Sequence, residues 1–473
     1  MGLTQILASI FAALLVGMLT RGSTRLFSLL ALSVLAAYWF QPAVPFRSFD
    51  FWIPSLSITL VVLTWFLISQ PGAWRTRQNI IGLAVIAGMV ILVDLTRYIS
   101  TEPTITTSTP PRLLLVVGFL ILIVVVVSLA TVLSRRFTLI LALAIILLIA
   151  TLVLLKSPFL TLQASIILRT LTNRPTDTAS ALDLRWLGFS YISFRLIHVL
   201  RDKQLGRLPE LSLPEFATYV VFFPSLSAGP IDRAERFAGD LRNEAALTQD
   251  ETFIAGQRIL IGLFKKFVLA DALALIALND ALAVQVRTAG WMWIVLYAYA
   301  FQIYFDFSGY TDIAIGIARL VGIKLPENFA SPYTRSNLTQ FWKSWHMTLT
   351  QWIRSYFFNP FNRWIRGYKS LPAWTMLLMG QLATMLLIGL WHGITVNFVI
   401  WGAWHGLGLF LQNRWSDFAK TRFTITNPRL QTVLSVAGIL FTFHFVVLGW
   451  IFFALSNPSL SWNVLLALSG ASR

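Results

Sequence analysis

The chain has 473 residues, 56% of them hydrophobic and only 12% charged, and its mean hydropathy is +0.71. Because soluble domains carry about 25% charged residues, this composition excludes a protein that lies mainly in water. The net charge of +17 does not indicate nucleic-acid binding, because the basic residues lie in short loops between apolar runs. The absence of cysteine excludes a disulfide framework and a thiol nucleophile.

Long apolar runs begin near the N-terminus and fill the first third of the chain. They lie near residues 3–20, 26–43, 51–69, 79–95, 113–134 and 137–155. Runs of about 18 or more apolar residues span a bilayer as helices, because lipid offers no partner to unpaired backbone groups. The pattern predicts an all-α polytopic membrane protein with about 11–14 transmembrane or re-entrant helices.

Arginine pairs mark alternate loops of this region. The loops after the first, third and fifth runs contain Arg21 and Arg25, Arg75 and Arg77, and Arg135 and Arg136. Short loops rich in Lys and Arg stay in the cytoplasm. We therefore predict an extracytoplasmic N-terminus, with the first run retained as a helix.

The character of the sequence changes after Lys156. Apolar runs become shorter, and Gly, Pro, Trp and polar residues interrupt them, near 184–200, 214–231, 253–282, 290–305, 308–323, 374–391, 394–412 and 430–455. Broken helices are tolerated in lipid only where protein or a water-filled cavity satisfies the freed backbone. We therefore expect residues 1–155 to be scaffold helices and residues 156–473 to form a core around a cavity.

The segment QFWKSWHMTLTQWIR (340–354) predicts one amphipathic helix that is interfacial or lines a cavity. At 100° per residue its aromatic and aliphatic side chains, Trp342 and Trp345 among them, fill one arc. His346 lies at the edge of that arc. It either meets a polar cavity or anchors the helix at the headgroup level.

Trp-His-Gly occurs twice in LIGLWHGITVNFVIWGAWHG (387–406), although the chain has only five histidines. An ionisable residue inside a membrane segment is expensive, so a functional role is the leading hypothesis for His392, and an interhelical hydrogen bond is the alternative. Gly393 permits a break there, and Thr395 can cap a helix that restarts. His405 would point elsewhere on an unbroken helix, so we expect only one of the two histidines to be catalytic.

Several chemistries are excluded because their motifs are missing: the nucleophile elbow, the P-loop and the zinc-binding Cys/His cluster. His198 and Asp202 are spaced H-x-x-x-D, one residue short of an acyltransferase dyad. His198 and His444 have no polar cluster near them in the sequence, and we expect structural roles for both. What remains is a histidine general base in an enclosed site, which suits transfer of an acyl group to a hydroxyl.

Five segments, in order, resemble the membrane-bound O-acyltransferase (MBOAT) family, especially its bacterial alginate O-acetylase and teichoic-acid D-alanyl transfer types. They are FFPSLSAGPIDRAERF (222–237), GLFKKFVLADAL (262–273), YFDFSGYTDIAIGIARLVGIKLPENFASPY (304–333), QFWKSWHMTLTQWIRSYFFNPF (340–361) and GLWHGITVNFVIWGAWHG (389–406). The resemblance runs from about residue 187 to residue 450 and implies a ring of helices around a central cavity.

By this resemblance His392 is the catalytic histidine and His346 the second conserved one, while the second Trp-His-Gly packs. The family motifs also imply roles in substrate or donor binding for Asp306, Ser308, Tyr310, Asp312, Glu327, Asn328, Lys265, Lys266 and Arg233. Trp342, Trp345 and Trp391, beside the histidines, are further candidates. We expect neither a metal nor a tightly bound cofactor.

The resemblance implies an O-acyltransferase of the bacterial inner membrane. Acetyl-CoA or another acyl thioester would be the co-substrate, and the acceptor would be an extracytoplasmic glycan or an esterase-like transferase protein. Lys265, Lys266, Lys343 and Arg354 either bind the donor's phosphates or are ordinary positive loop residues. The alternatives are an aminoacyl or fatty-acyl thioester on a carrier protein and, in a different class, a non-catalytic lipid or glycan transporter.

Overall fold

A computed structural model describes residues 2–100, 102–132, 137–243, 247–368, 371–423 and 426–471. Arg135 and Arg136, used above for topology, lie outside these ranges. The described residues form α-helices with short 3-10 and π-helical segments, and none of them lies in a β-strand. The predicted all-α class is therefore confirmed.

The α-helices are, in chain order, α1 (Leu3–Leu19), α2 (Gly22–Trp39), α3 (Phe49–Ile68), α4 (Arg77–Ile99), α5 (Leu113–Val132), α6 (Phe137–Lys156), α7 (Pro158–Leu171), α8 (Phe189–Gln204), α9 (Leu213–Val220), α10 (Ala234–Arg242), α11 (Gln249–Leu263), α12 (Asp271–Ala274), α13 (Asp280–Gln285), α14 (Ala289–Leu320), α15 (Leu338–Trp342), α16 (Met347–Ile353), α17 (Asn359–Ile365), α18 (Ala373–His392), α19 (Val396–Arg422), α20 (Pro428–Ala454) and α21 (Pro458–Leu468). A π-helical segment, Phe264–Ala270, follows α11, and another, Arg354–Phe358, follows α16.

By length and composition, five of the described helices can cross a membrane: α3, α4, α6, α18 and α20. Shorter apolar helices are α1, the first part of α5, α7 and α21. The remaining helices are short or carry polar residues, and all of them except α2 follow Lys156.

The chain divides into two compact units. The first contains residues 1–259 and 313–326, and the second contains residues 260–312 and 327–473. Both histidines of the predicted site and nearly all their candidate partners belong to the second unit, whereas Arg233 belongs to the first. The division at residue 155 stays a prediction.

Within the first unit, Arg25 is buried rather than exposed in a loop. Its Nη2 donates to the backbone oxygens of Asp240, Leu241 and Asn243, at 3.2, 2.9 and 2.7 Å. These carbonyls lie at the C-terminal end of α10, where helical carbonyls lack partners and a cation is favourable. Arg25 therefore anchors α2 to the end of α10.

Within the second unit, α18 and α19 pack at glycines. A Cβ on Gly389 would lie 2.3 Å from the Phe398 oxygen, and one on Gly402 would lie 2.7 Å from the Met385 oxygen. Glycine at such positions lets two helices approach to backbone contact. The glycines of both Trp-His-Gly segments, Gly393 and Gly406, also meet the opposite helix, at 2.8 and 2.9 Å from their nearest atoms.

The turn between these helices agrees with the sequence. α18 ends at His392, Gly393 is extended, and α19 restarts at Val396. The Thr395 hydroxyl accepts a bond from the Phe398 N–H at 3.5 Å, which makes it the predicted cap. The expected break beside the catalytic candidate is confirmed.

Two helix predictions were wrong. The runs 290–305 and 308–323 are a single helix, α14, because Asp306 and Ser308 stay helical and their side chains leave the backbone ladder intact. Residues 340–354 are not one helix, because His346 has φ 43° and ψ 53° and separates α15 from α16. Helical periodicity detects side-chain spacing and does not detect such a backbone reversal.

Candidate active site

His346 is held in the left-handed region by bonds to a segment 18 residues upstream. The Met347 N–H donates to the Asn328 backbone oxygen at 2.9 Å, and the Thr348 N–H donates to Asn328 Oδ1 at 3.2 Å. A non-glycine residue in this region carries about 1–3 kcal/mol of strain and persists only where its surroundings impose it. The positive φ turns the backbone so that His346 begins a new helix.

The His346 side chain is buried, with 3% of the residue exposed. Its Nδ1 lies 3.1 Å from Asn328 Oδ1, and Nε2 has no hydrogen-bond partner among the described residues. His346 lies outside the five candidate spans, and burial lowers the pKa of its imidazole to about 3. The ring is therefore neutral at neutral pH.

Aromatic rings enclose this imidazole. The Phe307 ring from α14 meets it edge-on at 4.7 Å between centroids, and the Trp391 ring from α18 lies at 6.2 Å. Phe307 also contacts Phe329 at 5.0 Å, and Phe329 contacts Trp345 at 5.2 Å. Predominantly apolar walls keep water away from the one polar edge that the ring presents.

His392 ends α18 and shares a neighbour with His346. The Trp391 ring lies 4.5 Å from the His392 ring and 6.2 Å from the His346 ring, so it contacts both. Phe453 at 4.7 Å and Trp401 at 5.7 Å complete the surroundings of His392. The two histidines thus belong to one aromatic-lined site, although 46 positions separate them in the sequence.

His405, in the second Trp-His-Gly segment, is fully buried in an aromatic cage. Its ring contacts Trp401, Trp342 and Trp450 at 4.9, 5.2 and 6.4 Å, and neither nitrogen has a hydrogen-bond partner among the described residues. The rings surround His405 on several sides, and the expectation that this segment packs stays a prediction.

The lysine motif and the acidic motif pair with each other. Lys265 Nζ lies 2.7 Å from Asp312 Oδ2, and Lys266 forms an ion pair with Asp306. Gly309 permits this approach, since a Cβ there would lie 2.8 Å from the Gly262 oxygen. The two motifs therefore neutralise each other between the π-helical segment and α14.

The other candidates are placed as follows. Ser308 and Tyr310 are buried on α14, Glu327 is exposed, and Arg233 is an exposed residue at the N-terminus of α10. Ser308 Oγ and Asn328 Nδ2 are buried without a hydrogen-bond partner among the described residues. Buried polar atoms in proteins nearly always have partners. Asn328, whose Oδ1 lies 3.1 Å from His346 Nδ1, therefore has a buried Nδ2 that suits a polar ligand.

A cavity of about 210 Å³ opens beside Trp342 between α15, α16, α18 and α19. Lys343 and Arg354 line it, and neither side chain has a hydrogen bond or ion pair with another described residue. Most of the other lining side chains are apolar, among them Ile353, Met385 and Ile388. The surface of the cavity is therefore mainly apolar, and the two basic residues that contribute to its lining, Lys343 and Arg354, are exposed.

Sequence reasoning missed several contact residues. Phe307 faces His346, and Trp401 and Phe453 face His392. Phe307 stands inside the D-F-S-G-Y segment and could have been found there, whereas Phe453 lies in an unbroken apolar run that carries no signal. His198 and His444, for which the sequence predicts structural roles, both have polar neighbours in the fold.

Helix geometry and tertiary packing supply those neighbours. His198 Nε2 lies 3.0 Å from Asp202 Oδ2, one helical turn away, and Nδ1 lies 3.2 Å from the Tyr219 hydroxyl. His444 Nε2 lies 2.8 Å from the Tyr297 hydroxyl. Both histidines have structural partners that only the folded chain brings together.

The profile of the MBOAT, membrane-bound O-acyltransferase family, matches residues 112–456. The chain belongs to the membrane-bound O-acyltransferase family. It is an all-helical membrane protein, as that family is.

Three kinds of enzyme are found among the curated relatives. A probable alginate O-acetylase AlgI of Pseudomonas fluorescens is 36% identical over 272 residues, 57% of this chain and 51% of the relative. A teichoic acid D-alanyltransferase of Bacillus subtilis is 31% identical over 277 residues, 57% and 69% of the two chains. A peptidoglycan O-acetyltransferase of Helicobacter pylori is 35% identical over 261 residues, 54% and 46%. The chain spans about half the length of the alginate O-acetylases it matches.

Proposed function

We propose that this protein is a membrane-embedded O-acyltransferase that moves an acyl group from a cytoplasmic thioester to a hydroxyl on the extracytoplasmic side. Acetyl is the first candidate for the acyl group. The observation that carries the proposal is the pair of histidines that both contact Trp391, one of which presents a buried nitrogen without a partner among the described residues. Family membership and the names of the relatives agree with it.

In the proposed reaction His392 accepts the proton of the acceptor hydroxyl as its oxygen attacks the thioester carbonyl carbon. The carbon–oxygen bond forms, the carbon–sulfur bond breaks, and the departing thiolate takes the proton from His392. His346 hydrogen-bonds either the acceptor or the thioester oxygen in a site from which aromatic walls exclude water. The thioester is already activated, so the reaction needs neither a metal nor a covalent enzyme intermediate.

The cavity beside Trp342 is the proposed donor site. Its apolar interior suits the thioester arm, and Lys343 and Arg354 suit the donor's phosphates. Lys265 and Lys266 are weaker candidates for phosphate binding than their motif implied, because each already has a carboxylate partner. Acetyl-CoA fits these requirements.

A carrier-protein thioester is the second candidate donor. Teichoic acid D-alanyltransferases are among the relatives, at 31% and 30% identity. The phosphopantetheine arm of a carrier protein also bears a phosphate, so the same two cations suit it. A fatty-acyl version would need a long apolar pocket next to the histidines.

The acceptor is proposed to be an extracytoplasmic glycan or the serine of an esterase-like partner protein, and the location to be the bacterial inner membrane with the N-terminus outside. The relatives' names mention alginate, teichoic acid and peptidoglycan, all polymers that carry hydroxyls. A transporter without catalysis is disfavoured, because transport does not require a histidine at position 392.

The test is acyl turnover by purified protein in nanodiscs. Labelled acetyl-CoA is supplied to the parent and to His392→Ala, with and without alginate or peptidoglycan fragments, and thioester loss is followed. Turnover in the parent and none in a folded variant supports the proposal. Equal turnover in both removes His392 from the chemistry, and turnover only with a D-alanyl carrier thioester selects the second donor.

A further inference from the structure

The hydrogen bonds around Asn328 determine which nitrogen of His346 carries the proton. Asn328 Oδ1 lies 3.2 Å from the Thr348 N–H, 2.8 Å from the Thr348 hydroxyl and 3.1 Å from His346 Nδ1. A backbone N–H can only donate, so the amide atom that faces Thr348 must be the oxygen. The orientation of the amide is thereby fixed by covalent chemistry.

The same oxygen faces His346 Nδ1, and two acceptors at 3.1 Å would repel each other. His346 Nδ1 must therefore carry hydrogen and donate it to Asn328. In the neutral ring this leaves Nε2 as a lone pair. That nitrogen is buried and has no partner among the described residues.

We propose that Asn328 is a positioning residue that holds His346 in the Nδ1–H form, so that Nε2 accepts a hydrogen bond from a hydroxyl of the acceptor substrate. The inference rests on the proposed acyl transfer and deepens it. A neutral His346 in this form cannot donate to the thioester oxygen, so of the two roles open to His346 only acceptor binding remains.

The backbone at position 346 strengthens this assignment. Asn328 binds the ring through Oδ1 and the chain through its own carbonyl, which accepts from the Met347 N–H at 2.9 Å. One residue therefore imposes both the left-handed backbone and the protonation of the ring. Strained residues that are imposed so completely cluster at functional sites.

The form of the ring is measurable without any variant. With only five histidines in the chain, ¹⁵N-histidine solid-state NMR of the protein in nanodiscs resolves the tautomers, and loss of one signal in His346→Asn assigns His346. We expect the Nδ1–H form, unchanged between pH 5 and 8. An Nε2–H form or an imidazolium at pH 7 overturns the proposal.

The role of the ring is tested by the sign of a pH shift. In Asn328→Asp the carboxylate keeps the bond to Nδ1–H and stabilises the imidazolium, so the pKa of His346 rises. The ¹⁵N spectrum of the variant gives the pH at which the ring at position 346 becomes an imidazolium, and kcat/KM for the acceptor is measured on both sides of that pH in the variant and in the parent. If Nε2 must accept, the ratio of kcat/KM in the variant to that in the parent falls where the imidazolium forms. If His346 must donate, that ratio rises there, which overturns the proposal.

Two further variants separate positioning from folding. Asn328→Ala is expected to lower kcat/KM for the acceptor about tenfold or more while the KM for acetyl-CoA stays unchanged. Thr348→Val removes one bond to the same oxygen but leaves Nδ1 paired, so its pH profile should match the parent. If the pH profile of kcat/KM shifts as much in Thr348→Val as in Asn328→Asp, Asn328 acts only through packing, and the proposal is overturned. A parent that shows the Nδ1–H form but turns over no thioester supports the tautomer assignment and refutes the proposed transfer itself.

Discussion

Gly389→Ala tests whether the contact between α18 and α19 sets the position of His392. The added Cβ would lie 2.3 Å from the Phe398 oxygen, whereas carbon and oxygen in ordinary contact lie about 3.4 Å apart. The difference, about 1 Å, must be met by moving backbone, because the obstructing atom is a carbonyl oxygen of α19. Phe398 also stacks on the His392 ring at 5.9 Å, so the displacement reaches the site directly.

The expected consequence is larger for activity than for stability. Overpacking a tight interface costs about 1–3 kcal/mol of unfolding free energy, and a 1 Å misplacement of reacting groups lowers turnover about 100-fold. Turnover of acetyl-CoA and thermal unfolding are measured on the same purified samples. Gly380→Ala is the matched control on the same helix, because its Cβ would meet only the end of the Asn362 side chain, which can rotate away.

The reasoning is refuted if Gly389→Ala keeps turnover within twofold of the parent. A fall in Tm without loss of turnover would mean that helix spacing does not position His392. Equal losses in Gly380→Ala would mean that α18 tolerates no added methyl group, whatever it meets.

Three other predictions concern groups elsewhere in the molecule. His405→Leu should retain acetyl transfer because its ring packs against Trp342, Trp401 and Trp450, whereas His392→Leu should abolish it. Parallel assays that rank the two variants the other way would exchange their roles. Lys265→Met and Asp312→Asn should couple by about 1 kcal/mol in a double-mutant cycle of unfolding free energy. The reason is that Lys265 Nζ lies 2.7 Å from Asp312 Oδ2 and that the pair is largely buried. Additive effects would mean that the ion pair contributes nothing. Burial disfavours the charged form of Glu215, but bonds from Arg242 and Ser212 overcome it and hold its pKa below the usual range. The stability that the ionised Glu215 contributes is present above about pH 4.3, the ordinary glutamate pKa, and is lost as pH falls through the folded pKa. The difference in Tm between the parent and Glu215→Gln should therefore shrink on acidification. A difference in Tm that stays constant contradicts this prediction.

The sequence predicted those features that depend on local chemistry. The break after His392 follows from Gly393 and the capping residue Thr395, and the structure contains both. Apolar runs identified the all-helical membrane class because backbone groups in lipid have so few alternatives.

Features that depend on distant residues could not be predicted in this way. The reversal at His346 is imposed by Asn328, 18 positions earlier, and no local pattern in 340–354 reveals it. The pairing of Lys265 with Asp312 spans 47 positions and depends on the close approach at Gly309. The predicted roles of these residues in substrate or donor binding remain predictions.

The mutual neutralisation of the lysine and acidic motifs has a consequence for how an anionic donor finds the protein. Two cations and two anions within contact distance produce little field beyond a Debye length, about 8 Å at physiological ionic strength. Long-range attraction of a phosphate-bearing donor must then come from cations without a carboxylate partner among the described residues, such as Lys343 and Arg354. The salt dependence of the donor association rate should accordingly follow those two positions, and the lysine pair should leave it unchanged.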